Sequence, residues 1–329
     1  MDELPWAGAG WREKAEAWIG EQAEGLGLEP SGPVEEVKIR PWSAVLRAPT
    51  SDGLVYFKAN LPALGNEPQL TRLLHRIDPE HVQPVLADEP EQLWMLQADG
   101  GPVMRERFGD GRELDRWERM LGLYADLQVR ASAHTDDLLA AGAPDRRLGA
   151  LRGLFERLIE AAAALTPEEE ALSADELDHL RALGPRVGEL AARLGAYGLP
   201  ASIDHSDLHP GNVLAPGDGY VFFDWHEAAV THPFFSMVVA TRWLENVHKV
   251  MPGSAEGRLL DAAYLEPWAA YGTAAELLAT LDLAVRLGTL QRALGWMRVV
   301  AGLPPAEQAQ WGGYVHGWLR DVATEIDRS

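Results

Sequence analysis

One stretch constrains this 329-residue chain more than any other: His205-Ser206-Asp207-Leu208-His209-Pro210-Gly211-Asn212, then the apolar run Tyr220-Val221-Phe222-Phe223, then Asp224. Pro210 and Gly211 let the backbone turn between Asp207 and Asn212. The aromatic and branched run reads as a short buried strand, which would hold Asp224 in a fixed place at the rim of a sheet. Two carboxylates and an amide oxygen are thereby set at defined spacing around one loop.

That donor set suits phosphoryl transfer, which asks for positioning and charge neutralisation more than covalent help. Asp207 would orient an acceptor hydroxyl and take its proton, while the Asn212 amide oxygen and the Asp224 carboxylate are hard ligands for Mg²⁺. Upstream, Leu54-Val55-Tyr56-Phe57-Lys58-Ala59 reads as a strand ending in a lysine. Asn66-Glu67 opens a helical stretch through Leu70, Leu73 and Leu74, and Leu93 to Gly100 reads as a strand followed by a hinge. In this order the four motifs resemble the aminoglycoside phosphotransferase family, the small-molecule branch of the protein-kinase-like fold.

The resemblance implies a role for each residue. Lys58 would hold nucleotide phosphates with Glu67 as its partner, and backbone groups at Leu96 and Ala98 would bond adenine. Asp207 would be the catalytic aspartate, Asn212 and Asp224 the Mg²⁺ ligands, and His205 a brace for the loop. The cofactors implied are ATP, with GTP as an alternative, and Mg²⁺. Arg40-Pro41-Trp42-Ser43-Ala44-Val45 holds no glycine-rich phosphate loop; relatives often carry a serine there, and Ser43 either donates to a phosphate or closes a turn. Glu227 stands where relatives show a second acid, serving a metal-bound water, a cationic substrate or the loop itself. The family phosphorylates aminoglycosides, other antibiotics, amino alcohols, sugars and amino acids, so antibiotic resistance is one outcome among several.

Each residue also has a plain structural reading. A lysine at a strand end is usually solvated, a glutamate in a first helical turn answers the helix dipole, and Asp and Asn cap turns. Unrelated surface residues would not fall into kinase order, however. A rival reading takes His205, Asp207 and His209 as transition-metal ligands of a hydrolase. Another is a nucleotide sensor on the same fold that binds without transfer.

Composition narrows the class. Fifty acidic against 29 basic residues give a formal charge of −21, which repels nucleic acid and anionic membranes and would draw a cationic small-molecule acceptor. There is no cysteine, hence no disulfide or thiolate chemistry. The chain opens Met-Asp-Glu-Leu-Pro without the basic and apolar parts of a signal peptide, and no eighteen-residue apolar run occurs, so a cytoplasmic location is expected. Oligomeric state leaves no mark.

The expected fold class is α+β with two lobes: residues 1–99 as a small antiparallel-sheet lobe with a leading helix, and residues 100–329 as a mostly helical lobe holding the loop 205–212, Asp224 and the acceptor pocket. Apolar spacing predicts a helix over 11–25, strands over 34–60 about Asp52-Gly53, a hairpin over 82–96 and a hinge at Gly100-Gly101. Helices are predicted over 113–133, 148–165, 173–194, 234–250, 255–271 and 274–287. Capping signals lie at Thr166 to Glu169 and at Ser173 to Glu176. Of the twelve tryptophans, Trp225, Trp243 and Trp268 fall in the acceptor half; Trp243 and Glu245 are the acceptor-pocket candidates, with Glu227.

Overall fold

A computed structural model describes residues 3–109 and 113–328. Helix α1 (Trp11–Gly25) buries Ala15, Ile19 and Ala23, spaced four apart along one face. Behind it lie strands β1 (Glu35–Arg40), β2 (Ser43–Thr50) and β3 (Gly53–Asn60), then helix α2 (Glu67–Ile77) and strands β4 (Val85–Glu89) and β5 (Trp94–Ala98). The five strands form one antiparallel sheet in the order β1-β2-β3-β5-β4. The β2–β3 turn closes at the pair Thr50 and Gly53, where a φ of 127° favours glycine.

Strand alternation sorts β3 between two tasks. Val55, Phe57 and Ala59 join the core under α1, where Trp18 packs edge-on against Phe57 and Trp94. Lys58 therefore points to the opposite face, in register with Val45 and Met95 of the flanking strands. Helix α2 turns Leu70, Leu73 and Leu74 into the larger, second core and presents Glu67 from its first turn.

The larger lobe contains α3 (Met104–Phe108), α4 (Leu114–Ala131), α5 (Thr135–Ala140), α6 (Leu151–Ala163), α7 (Ala174–Ala182) and α8 (Gly184–Gly195). Two small antiparallel pairs follow: β6 (Ser202–Asp204) with β9 (Ala229–Thr231), and β7 (Val213–Leu214) with β8 (Val221–Phe222). Their connections carry the loop 205–212 and Asp224. Helices α9 (Met237–Trp243), α10 (Ala255–Leu265), α11 (Ala274–Ala301) and α12 (Pro305–Asp327) complete the chain.

Four expected helices need correction. The one over 173–194 breaks into α7 and α8 at Gly184-Pro185, since proline has no amide to donate. The one over 234–250 is a 3₁₀ turn, α9 and a π turn over Leu244–His248, and that over 255–271 changes to 3₁₀ from Glu266, next to Pro267. Most consequentially, α11 does not stop at Leu287 but runs on through Gly288 and Gly295 to Ala301. Ser173 and Glu176 do form a reciprocal capping box. Thr166 to Glu169 heads no helix, because that segment crosses to α12, with the Glu168 amide donating to Ala309 O.

Candidate active site

The loop is built on a buried carboxylate. Asp204, at the end of β6, accepts from the Ser206 amide (3.0 Å), the Ser206 hydroxyl (2.8 Å) and the Ser236 hydroxyl (2.6 Å). These bonds stabilise Ser206 at a φ of 67°, unusual for a residue with a side chain. The reversal sends His205 inward and Asp207 outward. His205 is fully buried, its amide donating to Tyr124 Oη (3.0 Å) and its Nε2 lying 2.8 Å from Phe223 O. Its Nδ1 accepts from the Asp207 amide at 3.4 Å. Burial pushes the imidazole pKa down, so the ring is neutral.

Asn212 is held by its own amide group, Nδ2 donating to Asp207 O (2.9 Å) and Asp207 Oδ2 (3.0 Å). That orientation leaves Oδ1 facing away from Asp207 as a ligand oxygen. The Phe223 amide donates to Asn212 O at 3.3 Å, tying this residue to the strand that leads into Asp224. Asp224 itself has a φ of 67°, a second strained non-glycine residue in the same site.

Lys58 joins the lobes. Its Nζ lies 2.7 Å from Glu67 Oε2 and 2.5 Å from Asp224 Oδ1. Burial alone would lower the lysine pKa, yet Asp224 and Glu67 outweigh it and hold the ammonium charged. Asp224 is likewise opposed by burial but driven well below the usual carboxylate range by His226 and Lys58. Asn60 Nδ2 donates to Glu67 Oε2 at 2.8 Å, completing the buried glutamate's set. Glu67, Asp224 and His226 offer donor atoms within 4.8 Å of one another; Lys58 Nζ stands among them, 3.5 Å from His226 Nδ1, so the cation they hold is the lysine.

Asp207 faces a cation that the sequence alone does not reveal. Arg292 of α11 places Nη2 3.3 Å from Asp207 Oδ1, and His209 Nε2 lies 3.4 Å from Asp207 Oδ2. Burial would raise this carboxyl, but Arg292 and then His209 hold it far below the ordinary aspartate range. The signal existed only in the length of α11, since an arginine within an apolar helix betrays no partner by spacing.

The rival hydrolase set does not converge. Both ring nitrogens of His205 are taken by backbone groups, Phe223 O and the Asp207 amide, and His209 Nδ1 accepts from the Gly211 amide at 2.9 Å. The adenine contact expected at Leu96 needs correction. Leu96 is fully buried in a central strand, paired with Phe57 on one side and Ala87 on the other, so the sheet takes its backbone groups. The Ala98 carbonyl already accepts from the Gln83 side-chain amide.

Ser43 opens β2 opposite Arg40 and Asn60 and is buried. The turn before it is fastened by Trp42, whose ring meets Trp311 at 4.9 Å and Trp296 at 5.7 Å, both nearly perpendicular. Of the acceptor-pocket candidates, Glu227 is buried and paired to Arg292 (Oε2 to Nη1, 2.7 Å). Trp243 stacks on His209 at 5.2 Å and 9°. Glu245 lines a cavity of about 830 Å³ between α9, α10 and α11, together with Asp261, Val238, Met251 and Leu278. Trp225 and Trp268 are core residues with no exposure.

A lysine braced by a helix glutamate in a sheet lobe, and an aspartate and asparagine on a loop of a helical lobe, define a two-lobed, kinase-like phosphotransferase. Solved structures share this architecture over nearly the whole chain. A choline/ethanolamine kinase family protein from Mesorhizobium loti is 17% identical, with a TM-score of 0.60, over 97% of this chain and 99% of its own. Macrolide 2'-phosphotransferase from Brachybacterium faecium is 20% identical, with a TM-score of 0.55, over 84% and 92%. Spectinomycin phosphotransferase, solved with ADP and spectinomycin, is 11% identical, with a TM-score of 0.53, over 95% and 98%. No curated protein matches by sequence. The model of the phosphotransferase enzyme family matches residues 60–246, more than half of the chain, and the chain belongs to that family. It is an enzyme of the small-molecule phosphotransferase class. Among the described residues no helix is long and apolar enough to cross a membrane.

Proposed function

We propose that the protein transfers the γ-phosphate of ATP, with Mg²⁺, to a hydroxyl of a small cationic molecule. The observation that carries this is the mutual bonding of Asp207 and Asn212 at 3.0 Å in the lobe opposite Lys58, which Glu67 and Asp224 hold at 2.7 and 2.5 Å. Residues 1–99 would form the nucleotide lobe, and residues 100–329 the lobe for catalysis and the acceptor.

Lys58 would exchange Asp224 for phosphate oxygens when nucleotide enters, with Glu67 keeping it in place. Asn212 Oδ1 and the freed Asp224 carboxylate fit Mg²⁺, which when bound with the nucleotide neutralises charge building on the phosphates. Asp207 aligns the acceptor oxygen in line with the γ-phosphorus. The new O–P bond forms as the bond to the β-phosphate oxygen breaks, ADP leaves, and the hydroxyl proton passes to Asp207. A carboxylate of such low pKa is a weak base before bond formation, which suits a loose transition state in which the proton leaves late.

Charge favours a cationic acceptor. Acids outnumber bases by 50 to 29, and the cavity beside α9 offers Glu245 and the half-buried Asp261 among apolar walls. Amino sugars, aminoglycosides, other basic antibiotics and amino alcohols fit that description. The test is ADP release by the purified protein with Mg-ATP, and in parallel Mg-GTP, across such a panel, with Asp207→Asn as control. Turnover on a cationic member, lost in the variant, is the expected result. Bound nucleotide with no transfer to any member would favour a sensor and overturn the cationic assignment.

A further inference from the structure

Arg292 lies outside residues 60–246, the span matched by the family model, yet it reaches the catalytic aspartate. It is 5% exposed, and a buried guanidinium is held only where anions and carbonyls meet it. Nη1 donates to Ser206 O (2.6 Å) and Glu227 Oε2 (2.7 Å), while Nη2 stands 3.3 Å from Asp207 Oδ1. The helix that carries it is shaped for this approach. A Cβ at Gly288, one turn before, would stand 2.7 Å from Val238 Cγ2, and one at Gly295, one turn after, 3.0 Å from Glu227 Oε2. Larger residues would push α11 off the loop.

We infer that Arg292 is a positioning residue for Asp207, with Glu227 as its anchor and not an acceptor ligand. Glu227 alone would neutralise the guanidinium; the further bond to Ser206 O and the ion pair with Asp207 define what the arrangement does. Asp207 Oδ1 is turned toward Arg292 and Oδ2 toward Asn212 and His209, so rotation of the carboxylate about its Cβ–Cγ bond is blocked at both ends. The carbonyl of the strained Ser206 is gripped by the same nitrogen that meets Glu227. Side chain and backbone of the loop are thus registered to one rigid helix. This inference rests on the proposed kinase activity.

The test is a cycle of Arg292→Met, Arg292→Lys and Asp207→Asn, with turnover on the acceptor found above, nucleotide affinity and melting temperature each measured. Arg292→Met should lower kcat about 100-fold, the size of effect that small misplacement of a reacting group produces, with nucleotide affinity unchanged. Arg292→Lys, which keeps the charge but not the fork, should recover only part. In the Asp207→Asn background, Arg292→Met should cost nothing more, because its effect passes through the missing carboxylate. Additive losses, or undiminished kcat in Arg292→Met, would overturn the inference. Should that variant fail to fold, Arg292→Lys in both backgrounds is decided by the same criterion, and Glu227→Gln should lower kcat at unchanged nucleotide affinity. A wild-type enzyme that turns over no acceptor would instead defeat the kinase reading itself.

Discussion

Lys58 Nζ and Asp224 Oδ1 lie 2.5 Å apart, joining the sheet lobe to the helical lobe through one ion pair whose second carboxylate is Glu67. The two anions do not depend on the lysine equally: Glu67 is fully buried, whereas the Asp224 side chain keeps 28% of its exposure. Removing the ammonium by Lys58→Met strands Glu67 with Asn60, and breaking a buried pair from one side typically costs about 3–5 kcal/mol. Glu67→Gln added to Lys58→Met should restore most of that stability without restoring nucleotide binding. Thermal melts and nucleotide titrations of the two variants check both halves.

Asp207→Asn should leave nucleotide affinity nearly intact, because Lys58 and Asp224 are untouched and Asn212 keeps its bond to the backbone oxygen of residue 207. Asparagine still offers an oxygen to orient the acceptor but cannot take its proton. A positioned acid or base usually contributes about 10²–10⁴ in rate, and turnover should fall within that range. An enzyme that keeps full turnover would move the catalytic role to another residue.

Much of the site was legible because the chemistry repeats a local grammar. Taken singly, Lys58 and Glu67 read as a surface lysine and a helix-dipole acid; the order of the motifs along the chain grouped them with Asp207, Asn212 and Asp224. What stayed hidden depends on contacts between distant segments. Arg292 lies beyond the helix expected over 274–287, which in fact runs on through Gly288, where α11 packs closely on α9 and the turn before it. Leu96 was misjudged because the hairpin reading could not say that β4 and β3 both flank β5, which takes the backbone groups meant for adenine. For Glu227 a role in holding the loop was among the readings, but its partner, Arg292 on α11, was not visible from the sequence.

Trp42 fastens a turn that has no glycine-rich loop to the helical lobe. It sits between β1 and β2 in the small lobe, and its ring packs on Trp296 of α11 and Trp311 of α12, with Tyr314 stacked on Trp296 at 4.5 Å. Each aromatic pair is worth about 0.5–1.5 kcal/mol beyond its burial. Trp42→Ala should therefore loosen the turn, raise KM for nucleotide several-fold and leave kcat less affected. Trp42→Phe, which keeps an edge-on ring, should recover much of the affinity. Steady-state kinetics of both variants, with proteolysis at the turn, provide the check. Equal KM in all three proteins would show that the ring only packs.

One buried and one half-buried group give the fold opposite responses to acid. His232 is 3% exposed, accepts from the Phe234 amide through Nδ1, and has its pKa lowered from 6.5 to about 3 by burial. The unfolded chain takes that proton first, so the stability contributed by neutral His232 is present above pH 6.5 and drains away as pH falls toward 3. Burial raises Asp261 from 3.8 to about 6, so between those values the folded state holds more protons and gains stability as pH falls. The histidine shift is the larger, and acidification from neutral pH should lower the melting temperature. His232→Asn, which keeps an acceptor for the Phe234 amide but cannot titrate, should flatten that decline. Asp261→Asn removes the opposing contribution and should steepen it. Melting temperatures of the three proteins between pH 7 and 4 separate the effects, and identical slopes would show that neither group governs acid stability.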